Sequence, residues 1–294
     1  MLLHPDAPFD LARFSIYWST VIGIGALGAA YYWRRSAGEA LEKRWKSAEE
    51  PSALVQRLSS ASPAPVSVSS AVPAPQSYPA PLLFYAALVL LFLSLNGPLH
   101  DLSDTYLFSA HMVQHLLLTM VVVPLLLLGT PGWMLRPALR SPIVARVARV
   151  LTRPGIAYAL FNVTMLAWHL PPLYNLAMAH HGVHIVQHLF FLVTATLVWW
   201  PLLSPLPELP RLSHAMRLLY LVLLMIPMNV IGLTITYADE VLYPAYEAAP
   251  RILPLSPADD QLVGGLIMWI PGTFLLIGVA TVMFFRWAKV EEAR

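Results

Sequence analysis

Seven apolar stretches divide this 294-residue chain, and each is close to the length of a membrane-spanning helix. A helix needs about 20 predominantly apolar residues to cross a hydrocarbon core of about 30 Å. Such a segment must be helical, because lipid offers no hydrogen-bond partners to an open strand. We predict an all-α fold, a polytopic membrane bundle of seven transmembrane helices, at residues 14–33, 82–98, 106–130, 154–170, 183–203, 214–237 and 261–287.

The composition favours a membrane protein over a soluble one. Hydrophobic residues make up 57% of the chain and charged residues only 12%, whereas soluble domains carry about 25% charged residues. The chain has no cysteine, which excludes disulfide bridges, thiolate metal sites and cysteine nucleophiles. Any metal must therefore be held by imidazole, with help from carboxylates or thioethers.

The basic residues are concentrated on alternate connections between the predicted spans. Of 18 lysines and arginines, 16 belong to the connections after the first, third and fifth spans or to the carboxyl-terminal end. Basic residues accumulate on the cytoplasmic side of membrane proteins. The pattern therefore predicts an amino terminus outside and a cytoplasmic carboxyl terminus.

Residues 36–80 differ from the rest of the chain and divide it into three predicted parts. Residues 36–50 are charged, which allows a short surface helix, whereas 51–81 is dominated by Pro, Ser and Ala and holds seven prolines. The proline-rich stretch buries too little apolar surface to order itself, so we expect 36–80 to be a cytoplasmic linker that is disordered over its Pro/Ser-rich part. This linker would loosely tether the first transmembrane helix (1–35) to a six-helix membrane core (81–294).

Nine of the ten histidines fall on the outer side of the predicted topology. Two pairs stand out, His111 and His115 in the string HMVQH, and His184 and His188 in HIVQH. A spacing of four places both imidazoles of a pair on one helix face. Two similar helices that face each other would gather four imidazoles. Metal binding is one interpretation, and hydrogen bonding between helices is the other.

Further candidate ligands lie on the same side, and imidazole suits copper, zinc, iron and nickel. Gln114 and Gln187 precede the second histidine of each pair, either as partners of the ligands or as hydrogen bonds between helices. Met112, Met178 and Met228 offer thioethers to Cu(I), or simply pack in the core. The remaining candidate metal residues are His100, Asp101, Asp104, His169, His180 and His181.

The residues present exclude several classes of site. The HxxxH strings lack the glutamate of the HExxH zinc peptidases, because Met112 or Ile185 stands at that position. No lysine lies within a span to form a retinal Schiff base, and no nucleic-acid-binding patch is present. A zinc hydrolase acting on lipid, a b-type haem protein and a metal-free scaffold remain alternatives to a copper site.

The chain resembles the CtaG-type cytochrome c oxidase assembly factors of bacteria in three strings, SAHMVQHLLLTMVVVPLLLLGTP (109–131), WHLPPLYNLAM (168–178) and HIVQHLFFLVTATLVWWP (184–201). The resemblance covers about 80–287 and implies a seven-span protein of the bacterial inner membrane. It implies a role in producing active cytochrome c oxidase, at the formation of a copper centre in its catalytic subunit. It also marks His111, His115, His169, His184 and His188 as the metal-related residues.

These observations together predict a copper-binding assembly factor, not an enzyme, with its metal site toward the periplasm. The four paired imidazoles are the predicted primary ligands. The expected partners are the catalytic subunits of cytochrome c oxidase and membrane lipid, with no nucleic acid. Whether the chain forms a homo-oligomer stays open.

Overall fold

The computed structural model describes residues 15–48 and 80–292, and every regular element within them is helical. In chain order the helices are α1 (Trp18–Ala48), α2 (Ala80–Leu95), α3 (Gly97–Tyr106), α4 (Phe108–Gly129), α5 (Gly132–Leu135), α6 (Pro142–Leu151), α7 (Pro154–His169), α8 (Pro171–Ala179), α9 (His181–Leu203), α10 (His214–Thr236), α11 (Pro244–Glu247) and α12 (Pro257–Glu292). A π-helical turn ends α3, and another interrupts α4.

Four helices, α4, α9, α10 and α12, are each long and apolar enough to cross a membrane. Two bent pairs bring the number to six, namely α2 with α3 at 45° and α6 with α7 at 72°. The described residues thus form a helical membrane protein with four to six candidate spans. The predicted first span (14–33) is not among these candidates. It begins one residue before the described part of the chain, and α1 covers 18–33 of it.

The chain bends at Gly97, near the predicted end of the second span (82–98), and continues as a helix. Gly97 has a φ of 70°, a left-handed conformation that favours glycine. Pro98 then fits the first turn of α3. The helix runs on to Tyr106 at 45° to α2, which carries His100 and Asp104 toward α9.

The first helix is docked on the bundle, which corrects the expectation of a loosely tethered addition. Just before α1, the Ser15 hydroxyl donates to Asp101 Oδ2 at 2.7 Å. Further along, Tyr31 stacks on Phe84 with ring centroids 3.9 Å apart, and its hydroxyl donates to the Gly129 carbonyl at 3.0 Å. The sequence did not indicate these contacts, because the hydrogen-bond partners lie 86 and 98 residues away along the chain.

The helix α1 also extends into the segment predicted to be linker. Residues 36–48 are helical and rich in Ala, Glu, Leu, Lys and Arg, which have high helix propensity. Arg35 pairs with Glu39 one turn later at 2.7 Å, which supports the helix at that point. Residues 49–79, the remainder of the predicted 36–80 linker, lie outside the described residues.

The helix α4 lies at the centre of the bundle, in contact with α2, α9 and α12. The helices α10 and α12 pack closely because Gly232 and Gly265 let their backbones approach, and a Cβ on Gly265 would lie 2.9 Å from the Gly232 carbonyl oxygen. Helical structure continues past Pro124, Pro227 and Pro271.

A buried carboxylate from α12 caps the amino terminus of α4. Asp260 accepts hydrogen bonds from the backbone amides of Phe108 at 2.7 Å and Ser109 at 3.2 Å, and from the Ser109 hydroxyl. The first amides of a helix have no partner within it, and a negative charge there also complements the helix dipole. This cap fixes the start of α4 three residues before His111.

Candidate metal centre

Histidines from four helices, α3, α4, α7 and α9, come together at one end of the bundle. All are buried, with exposed fractions of 8% or less. The ring centroids of His111 and His184 are 5.4 Å apart, as are those of His115 and His188. His169 lies 6.2 Å from His115. This histidine cluster consists of His100, His111, His115, His169, His184 and His188.

The two HxxxH strings supply the centre of the cluster. Within each string the two rings are neighbours on one helix face, with centroids 4.1 Å apart for His111 and His115, which meet edge to face, and 4.4 Å apart for the tilted rings of His184 and His188. The helices α4 and α9 pack with these faces toward each other. The structure thus brings the four paired imidazoles together, while their role as ligands stays a prediction.

Three of these imidazoles form a group with metal-binding spacing. One ring nitrogen from each of His111, His115 and His184 lies within 4.8 Å of the other two. Three nitrogens that share one ion at about 2.0–2.1 Å are about 3.6 Å from one another when they are spread evenly around it. Ring nitrogens at the 4.8 Å limit therefore need to approach one another by about 1 Å to share one ion.

Most of the cluster's imidazoles leave Nε2 free. The Nδ1–H of His169 donates to the Met165 carbonyl at 2.6 Å. Nδ1 of His111 lies 3.3 Å from the Ser103 carbonyl and 3.1 Å from the Tyr246 hydroxyl. Such partners fix the proton on Nδ1 and leave a lone pair on Nε2, as in metal-binding histidines. Within the described residues, buried Nε2 atoms without a hydrogen-bond partner belong to His111, His115, His169, His184 and His188.

Asp104 lies between two of the imidazoles. Its carboxylate oxygens are each 3.4 Å from a ring nitrogen, Oδ1 from Nδ1 of His100 and Oδ2 from Nδ1 of His184. Ser103 donates to Gln114 Oε1 at 3.1 Å, and the Gln114 amide nitrogen lies 3.0 Å from Nδ1 of His100. A carboxylate that contacts the outer nitrogen of a histidine raises the ligand basicity of the other nitrogen.

A layer of three tyrosines, Tyr174, Tyr243 and Tyr246, packs beside the cluster. Tyr243 donates to the His169 carbonyl at 2.9 Å, and its ring stacks on Phe108. The Tyr174 hydroxyl donates to that of Tyr246 at 3.1 Å. Burial raises the pKa of Tyr174 and Tyr246 well above the usual range, so both phenols are neutral donors. We call these residues the tyrosine layer.

Besides Asp104, three predicted site residues are not part of the cluster. Asp101 accepts a hydrogen bond from the Ser15 hydroxyl, although its Oδ1 has no partner among the described residues. His180 and His181 are exposed at the start of α9. His181 stacks with Tyr17 at 6.0 Å between ring centroids.

A groove beside α1 leads to the cluster from the outside of the bundle. Its volume is about 430 Å³, and its walls come from α1, α2 and α9. Most of the wall is apolar, while His100, His184 and His188 line it at the cluster. The cluster is therefore buried but has an approach from the surface of the helix bundle.

The donor set fits a transition-metal ion. Six buried imidazole nitrogens without partners among the described residues converge from three helices, and imidazole binds copper, zinc, iron and nickel. The nearby Asp104 carboxylate offsets part of the positive charge that an ion would bring. The three-histidine group would hold the ion, and His188 and His169 are close enough to complete or exchange the ligand set.

Comparison with known families identifies the group to which the chain belongs. Residues 71–290 match the family model described as cytochrome c oxidase caa3 assembly factor. The match covers about three quarters of the chain. The chain belongs to this family. Every predicted site residue of this family member lies inside the matched range, whereas α1 lies outside it.

Mycobacterial relatives of this assembly-factor family member are longer proteins. This chain is 25% identical over 202 residues to uncharacterized proteins of Mycobacterium bovis and Mycobacterium tuberculosis, and 23% identical over 202 residues to one of Mycobacterium leprae. The aligned part is 63% of this chain but 31% of each relative, so the chain spans about a third of their length. No solved structure matches the chain.

Several residues that shape the site escaped the sequence analysis. Tyr174, Tyr243 and Tyr246 come from connections between spans, where periodicity carries no signal. Gln114 was recognised as a possible partner of the ligands, and it contacts His100. Its counterpart Gln187 is fully buried, and neither of its amide atoms has a partner among the described residues.

Proposed function

We propose that this chain binds a copper ion at the histidine cluster and passes it to the catalytic subunit of cytochrome c oxidase during assembly. The chain acts as a metal donor and not as an enzyme. Membership of the caa3 assembly-factor family supplies the process. The cluster supplies the ligands, because imidazole binds copper strongly, and cytochrome c oxidase requires copper for its activity.

One observation carries the proposal, the group formed by His111, His115 and His184. Their ligand atoms lie within 4.8 Å of one another, all three rings are buried, and each keeps an unpartnered Nε2. A buried polar atom without a partner costs about 1–3 kcal/mol. Several such costs at one point favour a bound ion that satisfies them together.

The proposed topology has seven spans, with the cluster toward the periplasm of the bacterial plasma membrane. The distribution of basic residues supports this orientation, because Arg146 and Arg149 on α6 and Arg286 and Lys289 on α12 lie away from the histidine end. In this orientation the cluster faces the compartment in which copper centres on the outer side of an oxidase are completed.

A zinc hydrolase is less well supported. Such an enzyme needs an acid free to activate a metal-bound water. The sequence suggested no acid buried within a span, whereas the structure places Asp104 beside the cluster. Asp104 faces the Nδ1 atoms of His100 and His184, however, which is the position of a carboxylate that orients ligands. A carboxylate engaged there does not serve as the general base.

The test is copper binding by the full-length chain, purified in detergent without a histidine tag. We expect wild-type protein loaded with Cu(II) and desalted to retain copper with nitrogen hyperfine splitting in its EPR spectrum. The double variant His111→Ala/His184→Ala should lose that copper, because two of the three grouped ligands are gone.

His214→Ala is the matched control, because His214 is exposed and lies at the other end of α10 from the cluster. It should retain wild-type copper. Equal copper in the double variant and the control would rule out the site. Native zinc with lipid turnover would favour the hydrolase instead, and a Soret band would favour a haem protein.

A further inference from the structure

A small cavity adjoins the histidine cluster on its inner side. Its volume is about 10 Å³, close to the minimum needed by one water molecule. It is therefore large enough for a single small occupant, such as a water molecule or a monatomic ion. The residues that line it are Met112, His115, Leu116, Thr119, Met165, His169, Met228 and Met268.

Methionine is strongly concentrated around this cavity. Four of its eight lining residues are methionine, whereas the whole chain has 11 methionines in 294 residues. Each of the four comes from a different helix, namely α4, α7, α10 and α12. All four are buried, with exposed fractions of 2–5%. Methionine often fills irregular gaps in cores, but that use does not require four helices to converge on one cavity.

A glycine of α12 makes room for one of these methionines. A Cβ on Gly272 would overlap the Met228 side chain and lie 3.3 Å from its sulfur. The surface of α12 therefore has a gap at Gly272, and the Met228 side chain packs into it.

The cavity also contains imidazole nitrogens without partners. His169 is held through its Nδ1 by the Met165 carbonyl, and its buried Nε2 has no hydrogen-bond partner among the described residues. Neither ring nitrogen of His115 has a partner there. His115 belongs both to the three-histidine group and to the lining of this cavity. It is thus shared between the two places.

The donor chemistry separates the two places. Thioether sulfur is a soft ligand that selects Cu(I), whereas imidazole accepts Cu(II), zinc and other ions as well. The chain has no cysteine, so methionine is its only source of sulfur ligands. A water molecule could use the free nitrogens of His115 and His169 as its polar partners, so it is the four thioethers that favour Cu(I) as the occupant.

We propose that this methionine cavity is a second metal site, one that binds Cu(I) through thioethers and the free Nε2 of His169. His115 stands between the two sites and gives an ion a ligand in common as it moves from one to the other. This second site goes beyond the proposed function by adding a second bound ion. Its thioether ligands do not require the histidine cluster to hold a metal. The oxidation state is that of the copper supplied, so no electron transfer by the chain is involved.

Silver ion is the probe, because Ag⁺ is a soft, redox-inert substitute for Cu(I). We expect full-length wild-type protein to bind two equivalents of Ag⁺, or of Cu(I) under anaerobic conditions. X-ray absorption of the Cu(I)-loaded protein should show sulfur as well as nitrogen neighbours. Met165→Leu/Met228→Leu should bind one equivalent and lose the sulfur signal, because leucine keeps the volume but removes the thioether.

Met120→Leu/Met134→Leu is the control, since both residues are buried methionines outside the cavity. It should behave as wild type. Wild-type protein with no sulfur neighbours would overturn the proposal whatever the variants do. Two equivalents in the cavity variant would overturn it as well.

The His111→Ala/His184→Ala variant separates this proposal from the proposed function. It should lose the all-imidazole equivalent and keep the equivalent with sulfur neighbours. If wild type shows no sulfur and the histidine variant loses all copper, the second site fails and the first stands. If the histidine variant loses nothing and sulfur is present, the first fails and the second stands.

Discussion

At the scale of single residues, the cluster depends on the different roles of the two nitrogens of an imidazole, one hydrogen bonded to the protein and the other free to bind a metal. His169 and His111 point Nδ1 at carbonyl oxygens, and His184 points it at Asp104. Their Nε2 atoms are left without partners among the described residues. This division fixes ring orientation before an ion arrives, so little ordering cost remains for binding.

Tyr246 offers a test of this division. Its hydroxyl donates to the Ser103 carbonyl at 2.6 Å and lies 3.1 Å from Nδ1 of His111. We expect Tyr246→Phe to weaken copper binding about 10-fold to 100-fold, as for other residues that orient metal-binding histidines. Competition titration against a chelator of known affinity measures the change. Tyr237→Phe is the control, since Tyr237 is 73% exposed, and equal affinities for the two variants would contradict the role assigned to Tyr246.

The histidine pairs are predictable from the sequence because their signal is local. Residues four apart must share a helix face, and the repeated string identifies two such faces. The partner residues are not predictable in this way, since Tyr246 is 135 residues from His111 along the chain. The same holds for Asp104, which reaches the site only because the chain bends at Gly97 and stays helical.

At the scale of helices, the position of His111 depends on the start of α4. Asp260 from α12 holds that start through the amides of Phe108 and Ser109. The sequence places Asp260 among ordinary acidic residues of an outer loop. Its role appears only when α12 and α4 pack together, and it links the order of two helices to the geometry of the site.

We expect Asp260→Asn to lower the thermal stability of the detergent-solubilised protein and to reduce copper retention. Asparagine removes the charge and leaves only one side-chain acceptor, so at least one hydrogen bond to the helix start is lost, at a cost of about 1–3 kcal/mol. Asp259→Asn is the matched control, because Asp259 is exposed and bonds only to Ser256 in its own turn. Identical melting temperatures for the two variants would show that the cap does not hold α4.

At the scale of the whole molecule, the two proposed metal sites lie in order along the bundle. The cavity extends to Thr119, which is about 12 Å along α4 from His111. The imidazole group lies nearer the helix end, and the thioethers lie deeper. In the proposed account, the soft thioethers hold Cu(I) at the deeper site, and the ion passes to the imidazole group before it leaves toward the periplasm.

The sequence predicts much of this architecture and misses specific parts of it. Long apolar runs predict α4, α9, α10 and α12, because hydrophobicity over 20 residues is sufficient for a membrane helix. The docking of α1 and the tyrosine layer were missed, since both depend on single contacts between distant segments. The methionine cavity was only partly foreseen: Met112 and Met228 line it, whereas Met178 lies near the Tyr246 hydroxyl.

The central claim is that copper at the histidine cluster is needed to complete cytochrome c oxidase. The direct measurement is the copper-to-haem ratio of oxidase purified from host cells that lack this chain and carry the wild-type gene, His111→Ala/His184→Ala or His214→Ala. We predict normal copper with wild type and His214→Ala, and assembled but copper-deficient oxidase with the double variant at equal expression. Full copper with the double variant would contradict the account and leave a metal-free scaffold as the better explanation.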